Sequence, residues 1–143
     1  MRTNQLRFYL AMLVALLLVA ACSKEPVVTA PNEVVVKYLD ALYNERDFDK
    51  ALSLASEHHQ MLLNNYGTTS TVGRYLYNMS FEQAIIQAER PSGMTYRNNA
   101  NSLRIDVAIS GFSHGKRFDE VREVIVVFEE GRWKVDRMLD SPY

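Results

Sequence analysis

The sequence predicts an α+β fold in which N-terminal helices pack on an antiparallel sheet that follows them. Apolar side chains recur at helical spacing in the first half of the chain, up to about residue 63. From residue 103 onward they alternate with polar ones or form β-branched runs, which is typical of strands. Helices first and strands afterwards indicate α+β rather than α/β organisation. We expect a signal peptide at residues 1–21, a tether at 22–31 and one domain at 32–143.

The first residues have the plan of a secretory signal. Arg2 and Arg7 form a cationic start, and an unbroken apolar run extends from Leu10 to Ala21. This run has about a dozen residues, fewer than the roughly 20 that a helix needs to span a bilayer. Together with the small residues at its end, it predicts export and cleavage.

The residues Val19-Ala20-Ala21-Cys22 resemble the lipobox of bacterial lipoproteins. The resemblance implies cleavage before Cys22 and lipid on both its sulfur and its new amino group; the alternative is an ordinary signal peptide with an incidental cysteine. Ser23 replaces the aspartate that commonly retains such lipoproteins in the inner membrane. We therefore expect a bacterial envelope lipoprotein, lipid-anchored to the outer membrane and facing the periplasm.

The length, net charge and cysteine count of the mature chain limit which partners and cross-links are expected. Removing 21 of the 143 residues leaves 122, which is enough for one hydrophobic core. The leader takes 2 of the 16 basic residues, so 14 remain against 17 acidic ones and the net charge is about −3. Without a basic patch, nucleic acid is not an expected partner. Because Cys22 is the only cysteine, the domain forms no internal disulfide.

Three helical segments are predicted in the first half. The first helix begins with Asn32 as its N-cap. A second begins near Asp47 or Asp49, breaks near Ser56 and resumes until the stop at Asn64–Gly67. The apolar side of the first helix carries Val35, Tyr38, Leu39 and Leu42.

The next segments are less regular. Residues 72–79 are interpreted as one more short helix, which Gly73 weakens. Residues 81–89 fit either a strand or a helix, and residues 91–101 form a polar connection. Leu103 to Ile109 alternate strictly, so the odd-numbered side chains should be buried and the even-numbered ones exposed.

The C-terminal part is predicted to be a meander of antiparallel strands. Ser113–Lys116 makes a turn, and Val121 to Phe128 is rich in β-branched residues and forms a central strand. Glu130-Gly131 turns the chain, and Trp133 to Leu139 returns as the last strand.

Two segments carry a family resemblance: PNEVVVKYLDALYNERDFDKALSL, residues 31–54, and VIVVFEEGRWKVDRM, residues 124–138. They resemble the nuclear-transport-factor-2-like superfamily, which includes ketosteroid isomerase, and in particular small bacterial lipoproteins in which such a domain follows a lipobox. The resemblance implies a cone-like domain whose sheet curves around the helices. This superfamily contains enzymes, binding proteins and assembly modules, so the resemblance does not choose among functions.

The predicted register of the last hairpin indicates which side chains face the cavity and could form an active site. A two-residue turn predicts four facing pairs: Phe128–Trp133, Val126–Val135, Val124–Arg137 and Arg122–Leu139. This apolar face should meet the helices. Isomerase-like catalysis needs a base inside the cavity, and no Asp or Glu falls in phase within residues 103–109 or 124–128. We therefore expect no enzyme and no catalytic residue. The candidate cavity or rim residues are Tyr38, Arg122, Phe128, Trp133 and Arg137.

The remaining histidines predict no metal site, and the tyrosines leave two interpretations of the interior open. His58 and His59 point about 100° apart on a helix, so they cannot share a metal ion, and His114 is interpreted as a solvated turn residue. Neither a metal nor a cofactor is predicted. The tyrosines of the helical half either line the core with phenol groups reaching water at its margin, or give an apolar cavity its hydroxyl groups.

Three functions compete on this basis. The first is a non-enzymatic module that binds an envelope protein within an envelope or secretion assembly. An exposed apolar patch on the outer face of the sheet, where Ile125 and Val127 lie, would favour it. The second is a carrier or sensor of a small hydrophobic ligand, favoured by an enclosed cavity. The third is an isomerase- or dehydratase-like enzyme, favoured by a carboxylate buried in such a cavity.

Overall fold

The helices come first in the chain and pack on an antiparallel sheet formed by the second half, as predicted. The computed structural model describes residues 28–89, 97–99 and 101–139. The predicted signal peptide, Cys22 and most of the tether lie outside these residues. Within the described ranges, no helix is long and apolar enough to cross a membrane.

The first helix, α1, spans Pro31–Tyr43. Its N-cap is Ala30, which makes no side-chain capping bond, so the prediction of Asn32 as the cap is wrong. Pro31 explains the difference, because proline has no N–H to be capped and its φ already suits the first helical turn. The predicted apolar side is buried in full: Val35, Tyr38, Leu39 and Leu42.

Two further helices follow, separated at the predicted break. Helix α2 spans Phe48–Leu54 and is capped by Asp47, whose carboxylate accepts from the Lys50 N–H at 2.9 Å. Helix α3 spans Glu57–Tyr66 and is capped by Ser56. It ends at Gly67, whose φ of 75° is left-handed and is a common way to terminate a helix.

The segment after α3 is less regular than predicted. A single helical turn, α4, covers Thr69–Thr71, and a π-helix covers Val72–Leu76. The predicted helix over residues 72–79 is therefore π-helical and shorter. Gly73 lies within it because of close packing: a Cβ there would meet the Met79 carbonyl oxygen at 2.9 Å.

Five strands form the sheet in the described part of the chain, and every named strand pair is antiparallel. The ambiguous segment 81–89 contains a strand, and the predicted polar connection 91–101 contains the short β2. The order is β1-β3-β4-β5, with β2 beside β3. The strands are β1 Gln83–Ala88, β2 Arg97–Asn99, β3 Ser102–Ser113, β4 Lys116–Glu129 and β5 Arg132–Leu139.

Both predicted hairpin turns are present and contain two residues each. His114 and Gly115 have φ of 52° and 72°, and Glu130 and Gly131 have φ of 51° and 78°. Two consecutive left-handed residues are the geometry of a type I′ turn, which matches the twist of the strands it joins.

The register of the last hairpin is confirmed near the turn and wrong beyond it. The pairs Phe128–Trp133 and Val126–Val135 form as predicted. A bulge then follows, with Asp136 as the extra residue on β5. As a result Val124 faces Met138, and Arg137 faces Ile125 instead. The predicted pair Arg122–Leu139 is therefore wrong, because Leu139 pairs with Glu123.

The hydrophobic core lies between the helices and one face of the sheet, which we call the inner face. Ile105, Val107 and Ile109 of β3 are buried there as predicted, at most 1% exposed, whereas Leu103 is half-buried. Of the even-numbered residues predicted to be exposed, Ala108 is exposed, and Arg104 and Asp106 are half-buried. Val124 and Val126 of β4 face the same side because they pair with Ile105 and Leu103.

Candidate functional site

Three polar side chains meet in the interior of the domain. The Tyr38 hydroxyl lies 3.0 Å from His59 Nε2 and 2.7 Å from the Tyr77 hydroxyl, and the latter lies 2.8 Å from His59 Nε2. Tyr38 belongs to α1, His59 to α3, and Tyr77 follows the π-helix. All three residues are buried. We call this group the Tyr-His cluster.

The cluster is neutral and incompletely hydrogen-bonded. Burial lowers the pKa of His59 to about 4, against an opposing effect of Asp136, and burial raises the pKa values of both tyrosines. When His59 Nε2 carries no proton and accepts a hydrogen bond, the only protons available to the three contacts are those of the two tyrosine hydroxyls. Two of the three contacts can then be hydrogen bonds at any one time. His59 Nδ1 then keeps a proton for which the described residues offer no acceptor. The cluster is closed to solvent and links α1, α3 and the segment after the π-helix.

Sequence reasoning missed this cluster. The sequence assigns His59 no role beyond excluding a metal ion shared with His58. The interpretation in which the phenol groups reach water is wrong for Tyr38 and Tyr77. One signal was present: His59 lies four residues before the buried Leu63 and therefore on the same side of α3. A histidine at a buried position needs polar partners, which points to the tyrosines of neighbouring elements.

Ser56, His58 and Asp136 include the residue types of a catalytic triad, but their geometry is structural. The Ser56 hydroxyl donates directly to Asp136 at 2.8 Å, and His58 Nδ1 lies 3.5 Å from the same carboxylate oxygen. A nucleophilic serine would instead donate to the histidine. Ser56 is also fully buried and accepts from the His59 N–H as the cap of α3. These contacts fix the start of α3 against the bulge of β5.

Two clefts lie at the end of the domain that carries the β3–β4 turn. Cleft 1 has a volume of about 240 Å³ and lies between the end of α1, the π-helix and the Ser113-His114 corner. Cleft 2 has a volume of about 210 Å³ and extends from the Met79–Phe81 segment to Phe118 and Glu120. Each is open and smaller than the roughly 300–1,000 Å³ that is usual for ligand pockets.

Arg122 lies on the inner face close to these clefts. It pairs with Val107 across the sheet, its side chain is largely buried, and its Nη2 lies 3.6 Å from the Glu120 carboxylate. Burial raises the pKa of Tyr43, and Arg122 partly offsets this rise. The guanidinium group is therefore a largely buried charge whose electrostatic effect reaches the Tyr43 hydroxyl.

The other predicted cavity or rim residues lie elsewhere. Tyr38 is in the Tyr-His cluster and lines neither cleft. Phe128 and Trp133 form an edge-to-face pair with ring centroids 5.1 Å apart, six or more residues along the hairpin from Arg122. Arg137 projects from the outer face beside Asp136 and is exposed. The structure thus does not bring these five residues into one site.

The outer face of the sheet, opposite the helices, carries exposed apolar side chains. Ile85, Phe112 and Val121 are 66%, 53% and 50% exposed. The register places Ala108 directly opposite Val121, and it places Phe112 and Ala108 diagonally from Ile85. We call these four residues the outer-face patch. Two other apolar residues of the outer face, Ile125 and Val127, are buried and half-buried and do not extend the patch.

The described residues contain no group of three His, Cys, Asp or Glu side chains that could hold a metal ion. Among the lysine, arginine, aspartate and glutamate residues that the structure describes, Lys134 is the one that is buried, and its Nζ pairs with the Glu130 carboxylate at 3.0 Å. Every described aspartate and glutamate is at least partly exposed.

Comparisons with known proteins leave the family open: no protein-family model matches the chain, and no curated protein matches it either. Any function must therefore be argued from the residues and the geometry above.

Proposed function

We propose that the protein is a lipid-anchored lipoprotein of the bacterial envelope whose domain is a non-enzymatic module for binding another envelope protein. The outer-face patch is the observation that carries this proposal. Burying an aliphatic or aromatic side chain of this size contributes roughly 1.5–3 kcal/mol, so a partner that covers Ile85, Phe112 and Val121 gains substantially.

The surroundings of the patch fit a protein partner. Gln83, Gln87, Arg117, Asp119 and Glu123 lie around it on the same face. An apolar centre with a polar and charged rim is the usual anatomy of a protein–protein interface. Charges of both signs in this rim favour a folded protein surface over a purely apolar ligand.

The anchor and the shape belong to the same proposal. The lipobox-like residues before Cys22 support lipid attachment, and residues 22–31 would hold the domain near the outer membrane on its periplasmic side. The likeness of residues 31–54 and 124–138 to the nuclear-transport-factor-2-like superfamily supports a cone-like, curved sheet. A partner module of this kind would act in an envelope or secretion assembly.

Site-specific photo-crosslinking in intact cells tests the interaction. A photoreactive residue at Val121 should give a discrete protein adduct, whereas one at Glu57, which is exposed on the helical side, should not. Adding Ile85→Asp should abolish the Val121 adduct without unfolding the domain. Equal adducts at Val121 and Glu57, or none at Val121, would contradict the proposed interface.

Mass spectrometry of the membrane-extracted protein tests the anchor. Residue 22 should be the acylated N-terminus, and Cys22→Ser should release the domain from membranes. An N-terminus elsewhere together with a free Cys22 thiol would rule out the lipoprotein assignment while leaving the crosslinking result valid.

A carrier of a small hydrophobic ligand is the second candidate. Phe118 is exposed and lines cleft 2 together with Met79 and Phe81, which gives that cleft an apolar wall. Saturable binding of a short-chain fatty alcohol, lost in Phe118→Asp, would favour this function. An isomerase- or dehydratase-like activity has weaker support, since no described carboxylate is buried in either cleft.

A further inference from the structure

We propose that cleft 1 binds a small carboxylate that also carries hydrogen-bond donors, as a free amino acid does. Two arginines, Arg46 and Arg74, and one glutamate, Glu82, line this cleft. This site is separate from the outer-face patch, because it lies on the helical side of the sheet.

The two arginines differ from the other exposed arginines in lacking carboxylate partners. Arg104 and Arg117 make ion pairs of 3.1 Å with Glu123 and Asp119. Arg74 makes no ion pair or hydrogen bond with any residue that the structure describes. Arg46 makes only a long contact, 3.4 Å from Nη2 to the Glu82 carbonyl oxygen. A guanidinium fork matches the two oxygens of a carboxylate, so both groups can receive an oxyanion.

Glu82 sets the charge and polarity of the ligand. Its Oε1 accepts from the His114 N–H at 3.1 Å, so the carboxylate is held at the cleft by the β3–β4 turn. Two cations and one anion leave the cleft with a single excess positive charge. A dianion such as phosphate would be repelled by Glu82, whereas a carboxylate with an ammonium or hydroxyl group can pair with all three side chains.

The wall of the cleft contains a buried polar group without a partner. Tyr43 lines cleft 1 and is 4% exposed, and its hydroxyl has no hydrogen-bond partner among the described residues. Buried hydroxyls are normally hydrogen-bonded, so this one indicates that the wall is completed by something further. Gly73 lies directly against it, with a built Cβ 3.7 Å from the Tyr43 oxygen, and therefore keeps side-chain atoms out of this position.

The backbone around the cleft is also unusual. Arg74 projects from the π-helix, a rare element that occurs frequently at functional sites. Arg46 has a φ of 57°, a left-handed conformation that is uncommon for a residue with a long side chain. Both residues line cleft 1. A volume of about 240 Å³ suits a ligand of several non-hydrogen atoms rather than a sterol.

Titration followed by NMR tests this site directly. The full chain, isotope-labelled and purified in detergent, is titrated separately with L-alanine, L-lactate, acetate and inorganic phosphate. We expect saturable shifts of the Gly73, Arg74 and His114 amide signals, with L-alanine binding most tightly because only it presents an ammonium group to Glu82. Arg74→Gln should weaken L-alanine binding about tenfold, as the loss of one charge-assisted pair does.

Matched variants separate the site from general charge effects. Arg132→Gln removes an exposed arginine at the opposite end of the sheet and should leave the L-alanine affinity unchanged. Glu82→Gln should reduce the preference for L-alanine over acetate. The proposal is overturned if none of the four probes shifts these amides, if phosphate binds best, or if Arg74→Gln and Arg132→Gln behave alike. None of these results depends on the protein partner of the outer face.

Discussion

The same apolar residue types are buried on the inner face of the sheet and exposed on its outer face. Ile109 on the inner face is fully buried, whereas Ile85 on the neighbouring strand is mostly exposed on the outer face. Val124 and Val121 differ in the same way, although only three positions separate them on β4. Inner-face residues pack against the helices, so substituting them lowers the free energy of unfolding. The exposed apolar residues of the outer face do not contact the helices, which makes them the informative ones for function.

The strongest test of this contrast introduces a charge on the inner face. Ile105→Asp should prevent folding, because a carboxylate would be buried among apolar side chains without a partner. Its neighbour Asp106 is partly exposed on the outer face, and Asp106→Ala should change the free energy of unfolding by less than about 0.5 kcal/mol. Circular dichroism with urea titration measures both variants. Similar tolerance at residues 105 and 106 would show that the assignment of faces is wrong.

A matched pair of truncations measures the same contrast more finely. Ile109→Ala should cost about 2–5 kcal/mol, since it removes buried methyl groups and leaves a cavity. Ile85→Ala should stay within about 0.5 kcal/mol, because its side chain is already in water. Urea midpoints at equal m-values give both numbers. A cost above 1 kcal/mol at Ile85 would mean that this residue is covered in the folded protein.

The helical side of the core should also respond to pH. The pKa of His59 falls from its ordinary 6.5 to about 4 on burial, so the unfolded chain binds a proton more readily than the folded one. The free energy of unfolding should therefore be highest above pH 6.5 and decline by about 3 kcal/mol as the pH falls to 4. Asp136 partly opposes the effect of burial on the pKa of His59, and His58 is the other neighbour that acts on it.

A substitution that cannot titrate isolates this contribution. His59→Gln keeps a polar side chain but is neutral at every pH, and its stability should change less between pH 6.5 and 4 than that of the unaltered protein. Carboxylates titrate in both proteins and cancel in the difference. Identical pH profiles would show that His59 does not remain neutral in the folded state.

The sequence predicted what local patterns control. Alternation identified the buried side of β3, and the turn residues at 114–115 and 130–131 identified both hairpins. The bulge at Asp136 could not be predicted, because the contacts that hold it come from Ser56 and His58, about 80 residues away. That bulge is what moves Arg137 to the outer face and removes it from the predicted rim.

The candidate sites were harder to predict than the fold. The Tyr-His cluster depends on three elements that meet only after packing, and cleft 1 depends on a π-helix that no local pattern indicated. Gly73 was the nearest signal, since a glycine in a helical pattern often marks a close approach of backbone. In the sequence alone, Gly73 indicates only a less stable helix. Residues at such breaks in a pattern are therefore worth testing first.

The smallest expected effect concerns the point where the inner face ends. Phe128 belongs to that face by register but is 37% exposed, while Trp133 is half-buried against the core. Their edge-to-face contact should contribute about 0.5–1.5 kcal/mol. Phe128→Ala should lower stability by about 1 kcal/mol and move the Trp133 emission maximum to longer wavelength, because the indole gains water contact. Glu129→Ala, one position further along β4, should leave the emission unchanged. If Phe128→Ala also leaves it unchanged, the two rings are not in contact, and the inner face would end before this pair.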